Sequence, residues 1–209
     1  HRRFAPIQHD SARQSILQRL RIQGEYILYV GRTEDPRKNL RTLIDAYAVL
    51  RSQRATDVLL VIAGRQGVGT QDIQRQISDL GLEQDVLLPG IVPDTDLPAL
   101  LSGASLFVYV SSFEGFGLPV LEAMACGTPV ITANTTSLPE VAGDAALLVT
   151  PGNVDELTRA MRRLLSEPEL RQQLREHGLE RARLFSWEKT AQATLEIYQQ
   201  VAQSVSRSD

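Results

Sequence analysis

The feature that most constrains this chain is a repeated alternation between short, wholly apolar runs and longer runs whose apolar residues recur at helical spacing. Tyr26–Val30 reads as a strand that ends at Gly31. Leu40–Arg51 follows, with Leu40, Leu43, Ile44, Tyr47 and Leu50 on one helical face. Val58–Ala63 is a second strand closed by Gly64, Gln71–Leu80 a helix stopped by Gly81, and Val86–Leu88 a short strand before Pro89 and Gly90. Leu97–Ser102 reads as a helix, Ser105–Val110 as a strand, and Pro119–Cys126 as a helix with proline in its first turn. Pro129–Thr132 and Ala146–Val149 complete the strands. Beyond Pro151 come three helical stretches, Val154–Leu165, Glu169–Leu184 and Trp187–Val205, with Asn153 and Ser186 as caps. Strands that are apolar on both faces and alternate with helices imply a parallel sheet covered on both sides. Right-handed crossovers make that sheet α/β and doubly wound, a Rossmann-like domain. The pattern predicts one such domain over residues 1–209, mostly helical from 154 onward.

Composition removes several function classes. The formal net charge is −3, so no global basic field draws the chain to nucleic acid or anionic lipid. One cysteine, Cys126, excludes a disulfide framework or a cysteine-based zinc site within the chain. His1, His9 and His177 lack metal-ligand spacing, and His177-Gly178 reads as a surface helix position. No run approaches the ~18 apolar residues of a membrane-spanning helix, and the opening residues lack a signal-peptide stretch. A cytoplasmic location is expected. The chain starts without methionine, which suggests a piece of a longer protein.

Ligands of such sheets bind beyond the carboxyl ends of the strands, so the strand exits are where chemistry is sought. Glu122 stands out, because its helix is otherwise apolar or small and reads as buried nearly all round. A carboxylate there must be paired or hydrogen-bonded. A ribose diol satisfies it, and so does an arginine or lysine. Glu114 follows the strand Ser105–Val110, and Gly115, Phe116, Gly117 and Leu118 lead into the helix. Glycines admit a close ligand, and the free amides at a helix start suit an anion. A tight turn with a solvated glutamate fits the same residues. Gly31, Arg32 and Lys38 sit at another exit, where the two cations suit a phosphate or a solvated loop. Gly64, Gly67 and Gly69 match neither a Walker loop nor a dinucleotide fingerprint and read as a permissive loop at the ligand edge. Ile91 and Val92 offer backbone groups and apolar surface to a nucleobase, or form a plain turn.

Taken together, these segments resemble the C-terminal domain of the group 1 retaining glycosyltransferases. The matching pieces are Val30-Gly31-Arg32, Lys38-Asn39-Leu40, Val61–Gly64, Leu88-Pro89-Gly90, Ser137–Val141 and Pro151-Gly152. The most specific is Ser111–Val130, which carries Glu114 and Glu122 in a Glu-x7-Glu motif. The match runs over roughly residues 24–200 in the right order. The resemblance implies a GT-B fold of two Rossmann-like domains, with the donor held mainly by the second. It implies that Arg32 and Lys38 hold the donor diphosphate and Glu122 the ribose hydroxyls. Glu114 and the amides of Gly115 to Leu118 would face the sugar and phosphates, with Ile91 and Val92 near the base. It further implies same-face transfer of a hexose, mannose from GDP-mannose by overall similarity, to a glycan or lipid-linked acceptor without metal or cofactor. Arg32, Lys38 and Glu114 would be the catalytic set. The family's N-terminal acceptor domain does not fit within 209 residues, so weak donor binding and negligible transfer are expected of this chain alone. Peripheral association with the inner membrane face would come through that other domain. A non-catalytic nucleotide-sugar module and an epimerase-like enzyme are the competing readings. A phosphorylase would need a pyridoxal-phosphate lysine that the sequence does not offer.

Overall fold

The structure, a computed structural model, describes residues 4–7, 10–53 and 57–205. His1 and His9 lie outside these residues. Six strands form one sheet: β1 Tyr26–Val30, β2 Leu59–Ala63, β3 Val86–Gly90, β4 Leu106–Tyr109, β5 Val130–Ala133 and β6 Ala146–Val149. Every pair is parallel, and the order across the sheet is β3-β2-β1-β4-β5-β6. This is the order of doubly wound Rossmann sheets. The chain first builds outward from β1 to β3, then returns to the centre and builds the other way from β4. The connections leaving β1 and β4 therefore diverge, and a crevice opens between their carboxyl ends.

The helices are α1 Asp10–Arg19, α2 Leu40–Ser52, α3 Thr70–Asp79, α4 Leu97–Gly103, α5 Leu118–Ala125, α6 Leu138–Ala142, α7 Val154–Ser166, α8 Pro168–Arg183 and α9 Trp187–Val205. α2 packs on α3 and α7 over one face, while α5 packs on α4, α6 and α8 over the other. The central strands explain the apolar runs in the sequence. Ile27, Leu28, Leu60, Phe107, Val108, Val130 and Ile131 are fully buried, and each such side chain contributes about 1.5–3 kcal/mol of transfer free energy. Two tyrosines within these strands keep their hydroxyls satisfied: Tyr26 donates to the Leu100 carbonyl at 2.6 Å and Tyr29 to the Arg32 carbonyl at 2.9 Å. Pro89 lies in β3, which the sequence ended at Leu88. An edge strand tolerates the missing N–H.

Asn153 caps α7 by accepting from the Glu156 amide at 3.0 Å, and Ser186 accepts from the Lys189 amide at 3.1 Å. α1 and α6 were not read from the sequence. α1 has weak apolar periodicity, and α6 is only five residues long. Two further expectations are corrected. Gly178 is buried rather than on the surface, because α8 presses it against the Met124 side chain. The helix carrying Glu122 is not buried all round: Leu118 is exposed and Glu122 half-buried, since the start of α5 faces the open sheet edge. α9 is exposed along its described length, Trp187, Leu195, Ile197, Tyr198 and Val201 included.

Gly64 joins β2 to its loop with φ of +138°, and an added Cβ would lie 1.9 Å from the Gly31 carbonyl oxygen. The exits of β1 and β2 are thus in direct backbone contact. Gly64→Ala is expected to cost more than about 2 kcal/mol, because both the dihedral and the space exclude a side chain. Urea denaturation showing a loss below about 0.5 kcal/mol, the range of neutral surface changes, would contradict this close approach.

Candidate functional site

The sequence singled out the exits of β1 and β4, and the fold places those exits side by side at the reversal of strand order. The two loops are laced together. The Ser112 amide donates to the Arg37 carbonyl at 2.8 Å, Ser111 Oγ donates to the same oxygen at 3.0 Å, and Asn39 Nδ2 donates to the Val110 carbonyl at 2.9 Å. The β5–α6 connection joins them. Thr136 Oγ1 accepts from the Glu114 amide at 3.2 Å, and Ser137 Oγ donates to the carbonyls of Glu114 at 3.0 Å and Phe116 at 2.9 Å. Thr136 holds φ of +51°, a left-handed conformation uncommon for a β-branched residue. Such backbone persists where the surroundings over-determine it.

Lys38 and Glu114 meet at the centre. Lys38 is 6% exposed. Its Nζ forms an ion pair with Glu114 Oε1 and donates to the Tyr109 hydroxyl at 2.6 Å. Tyr109 in turn donates to Glu114 Oε1 at 3.0 Å. A buried ammonium is tolerable only with such compensation. The Tyr109 ring supports it from one side, with Nζ 4.9 Å from the ring centroid, and itself stacks between Tyr29 and Phe107. Arg37 adds a longer contact to Glu114 at 3.4 Å while pairing with Glu34 at 3.0 Å. Burial alone would raise the Glu114 carboxyl, but the hydrogen bonds from Lys38 and Ser111, the Lys38 charge and then Tyr109 outweigh it and hold the group below the ordinary carboxylate range. Burial first, then the Glu114 charge, pushes the Tyr109 phenol well above its usual value.

The other candidates surround this pair. Arg32 is exposed at the same edge, next to Gly31. Gly115 and Phe116 are exposed, and Gly117, at φ of +107°, caps α5 where a Cβ would lie 2.7 Å from Leu138 Cδ2. Glu122 lies one turn into α5 and near enough to Tyr109 to act on it electrostatically. Gly64 sits on the neighbouring strand exit. After β3, Ile91 is 68% exposed while Val92 is buried, so only the first offers apolar surface to a ligand. Beside the Gly115–Leu118 turn, Phe116, Leu118, Leu121, Phe185 and Trp187 line an apolar cavity of about 320 Å³. Cys126 is buried, its thiol pushed up to about 12 by that burial, and takes no part. Among the described residues no group of three or more His, Cys, Asp and Glu side chains is arranged to hold a metal ion.

Sequence reasoning missed Tyr109, Arg37, Thr136 and Ser137. Tyr109 had a signal: a hydroxyl within an apolar strand must find a partner. Thr136 had none, and Ser137 was visible only as the start of a matching segment, because the role of both depends on the loop that brings β5 beside β4.

The depressed Glu114 carboxyl gives a stability effect with a definite sign. A carboxyl whose folded-state pKa lies below its unfolded value stabilises the fold above the ordinary carboxylate range, and this is lost as pH falls through the folded value. Glu114→Gln should therefore be less stable than the parent chain at neutral pH, with the difference shrinking in acid. Denaturation midpoints that differ equally at pH 7 and pH 3 would show that the carboxylate charge is not what its Lys38, Ser111 and Tyr109 contacts reward.

Residues 13–181 match the family described as glycosyl transferases group 1. The chain is 40% identical over 185 residues to O-antigen chain mannosyltransferase B of Escherichia coli, covering 88% of this chain and 48% of that protein. Among solved structures, sucrose-phosphate synthase from Thermosynechococcus elongatus superposes with a TM-score of 0.82 at 28% identity, covering 97% of this chain and 51% of the other. HepE of Anabaena, solved with UDP and glucose, superposes at 0.77 with 25% identity, covering 98% and 54%. The chain thus spans about half the length of these relatives. With its strand order and its paired strand-exit motifs, the chain belongs to the group 1 glycosyltransferase family and has the Rossmann-like fold of a GT-B glycosyltransferase domain.

Proposed function

We propose that this chain is the donor-binding half of a retaining glycosyltransferase that moves a hexose, mannose in the first instance, from a nucleoside diphosphate to a glycan or lipid-linked acceptor. The observation that carries this reading is the meeting of Lys38 and Glu114 at the crevice between β1 and β4, directly before the Gly115–Leu118 turn that opens α5. Ligands of open parallel sheets bind at that crevice. The mannosyltransferase relative supports the sugar, and the HepE complex supports a nucleoside diphosphate as ligand of this fold.

In this reading the diphosphate lies over Arg32 and Lys38, with the amides that open α5 completing the anion site. Glu122 accepts both ribose hydroxyls, and Glu114 accepts from the sugar. Gly31 and Gly64 let the ligand approach the backbone, and Ile91 borders the base. The leaving group carries the negative charge that develops as the glycosidic bond opens, and fixed cations stabilise it in the transition state. Same-face attack then lets the departing diphosphate accept the acceptor's proton. No metal or cofactor is required, because Arg32 and Lys38 supply the positive charge. The acceptor is bound by another part of the protein, and the exposed apolar residues of α9 and the cavity beside Phe116 suit contact with it. Among the described residues no helix is long and apolar enough to cross a membrane. We place the full protein in the cytoplasm, with any membrane contact peripheral.

A module that binds nucleotide sugars without transferring them shares every donor contact, so binding is tested separately from turnover. Calorimetry of this chain with GDP and UDP should show binding that Arg32→Ala and Glu122→Gln each weaken roughly ten- to a hundredfold, the loss of one charge-assisted hydrogen bond. Arg32 is exposed, so its substitution leaves the core intact. Wild-type affinity in Glu122→Gln would remove the ribose assignment, and retained turnover by the isolated chain would contradict the need for a second domain.

A further inference from the structure

The Lys38–Glu114 contact has a consequence for ligand exchange. Both groups are assigned to the donor, yet in this structure each is the other's partner. Lys38 is enclosed, with its ammonium directed to two oxygens, those of Glu114 and Tyr109. A diphosphate that approaches Lys38 therefore competes with Glu114 Oε1 for the same enclosed ammonium. A sugar hydroxyl that donates to Glu114 weakens that carboxylate's hold on Lys38. The Tyr109 hydroxyl touches both and is fixed by its stack between Tyr29 and Phe107, so it retains one bond to Lys38 when the carboxylate leaves. Arg37, already paired with Glu34, also reaches the same Glu114 oxygen at 3.4 Å.

We propose that Glu114 is an internal competitor of the diphosphate for Lys38. Paired with Lys38, Glu114 neutralises the buried cation. An intact nucleotide sugar separates the pair by offering each member a partner: hydroxyls to Glu114 and phosphate oxygens to Lys38. Once the sugar has been transferred, Glu114 has no hydroxyls to accept from and re-forms its bond to Lys38, and the bare nucleoside diphosphate is expelled. The site thereby discriminates between donor and spent product through one carboxylate. This rests on the donor-site reading above and adds to it a preference for sugar-bearing over bare diphosphates.

The test compares GDP and UDP with GDP-mannose and UDP-glucose by calorimetry, on the parent chain, Glu114→Gln, Glu114→Asp and each substitution combined with Lys38→Met. Aspartate keeps the charge but shortens the reach, so it separates the contact from general electrostatics and stands in should the glutamine variant fail to fold. Both Glu114 substitutions should tighten bare diphosphate binding about tenfold, the scale of one charge-assisted contact, while leaving nucleotide-sugar binding no tighter than in the parent. In the Lys38→Met background the Glu114 substitutions should have no effect on bare diphosphates. Equal or weaker binding of GDP and UDP to both Glu114 variants would overturn the competition. If no variant, and not the parent, binds any of the four, the donor-site reading itself fails and takes this proposal with it.

Discussion

The arrangement depends on one geometric constraint, the reversal of strand order between β1 and β4. All six strands are parallel, so all of them end at one edge, and only at the reversal do neighbouring connections leave in opposite directions. That divergence makes room for a crevice with backbone on both sides. It also brings Lys38, eight residues beyond the end of β1, against Glu114, five residues beyond the end of β4, although 76 residues separate them in the chain. The apolar residues of the strands serve this end indirectly. They bury the sheet on both faces and leave its carboxyl edge for polar contacts.

At that edge the balance of forces is electrostatic. A buried lysine is costly, and its ion pair with Glu114 is worth most when the remaining hydrogen-bonding capacity is also met. Tyr109 meets part of it, and its place in a stack of three aromatic rings fixes where the two charges sit. A pair removed from solvent is also an energetic reserve, because a ligand that supplies both charges with new partners recovers the cost of separating them. Arg32, in contrast, is exposed, so its charge at this edge is screened by solvent and salt rather than held in a buried contact.

Much of this was legible in the sequence. The apolar runs located all six strands, because a parallel sheet buried on both faces leaves no alternation to confuse the reading. Positive-φ positions such as Gly64, Gly81 and Gly117 marked strand or helix ends correctly, since few other residues occupy them. Glu122 was visible as a charge set in an apolar helix, Glu114 as a carboxylate before two glycines, and Lys38 as one cation of a charged loop at a strand exit. Their mutual arrangement was not. The sequence suggested that Lys38 faces a phosphate and Glu114 a sugar, and nothing in it shows that they face each other. Tyr109 looked like one more apolar strand residue because its ring is buried, while its hydroxyl works at the strand end. Thr136 and Ser137 could be placed only by knowing that β5 adjoins β4. The half-buried state of Glu122 was also hidden, because an apolar helix sequence does not reveal that its first turn faces an open edge.

A ligand held in the crevice between β1 and β4 would report itself in amide chemical-shift mapping of this chain with added GDP or UDP. The perturbed amides should cluster in Gly31–Asn39 and Ser111–Glu122, with smaller changes at Gly64 and Ile91. Perturbation confined to the opposite edge of the sheet, around Arg51, Asp85 and Ser105, would contradict this placement.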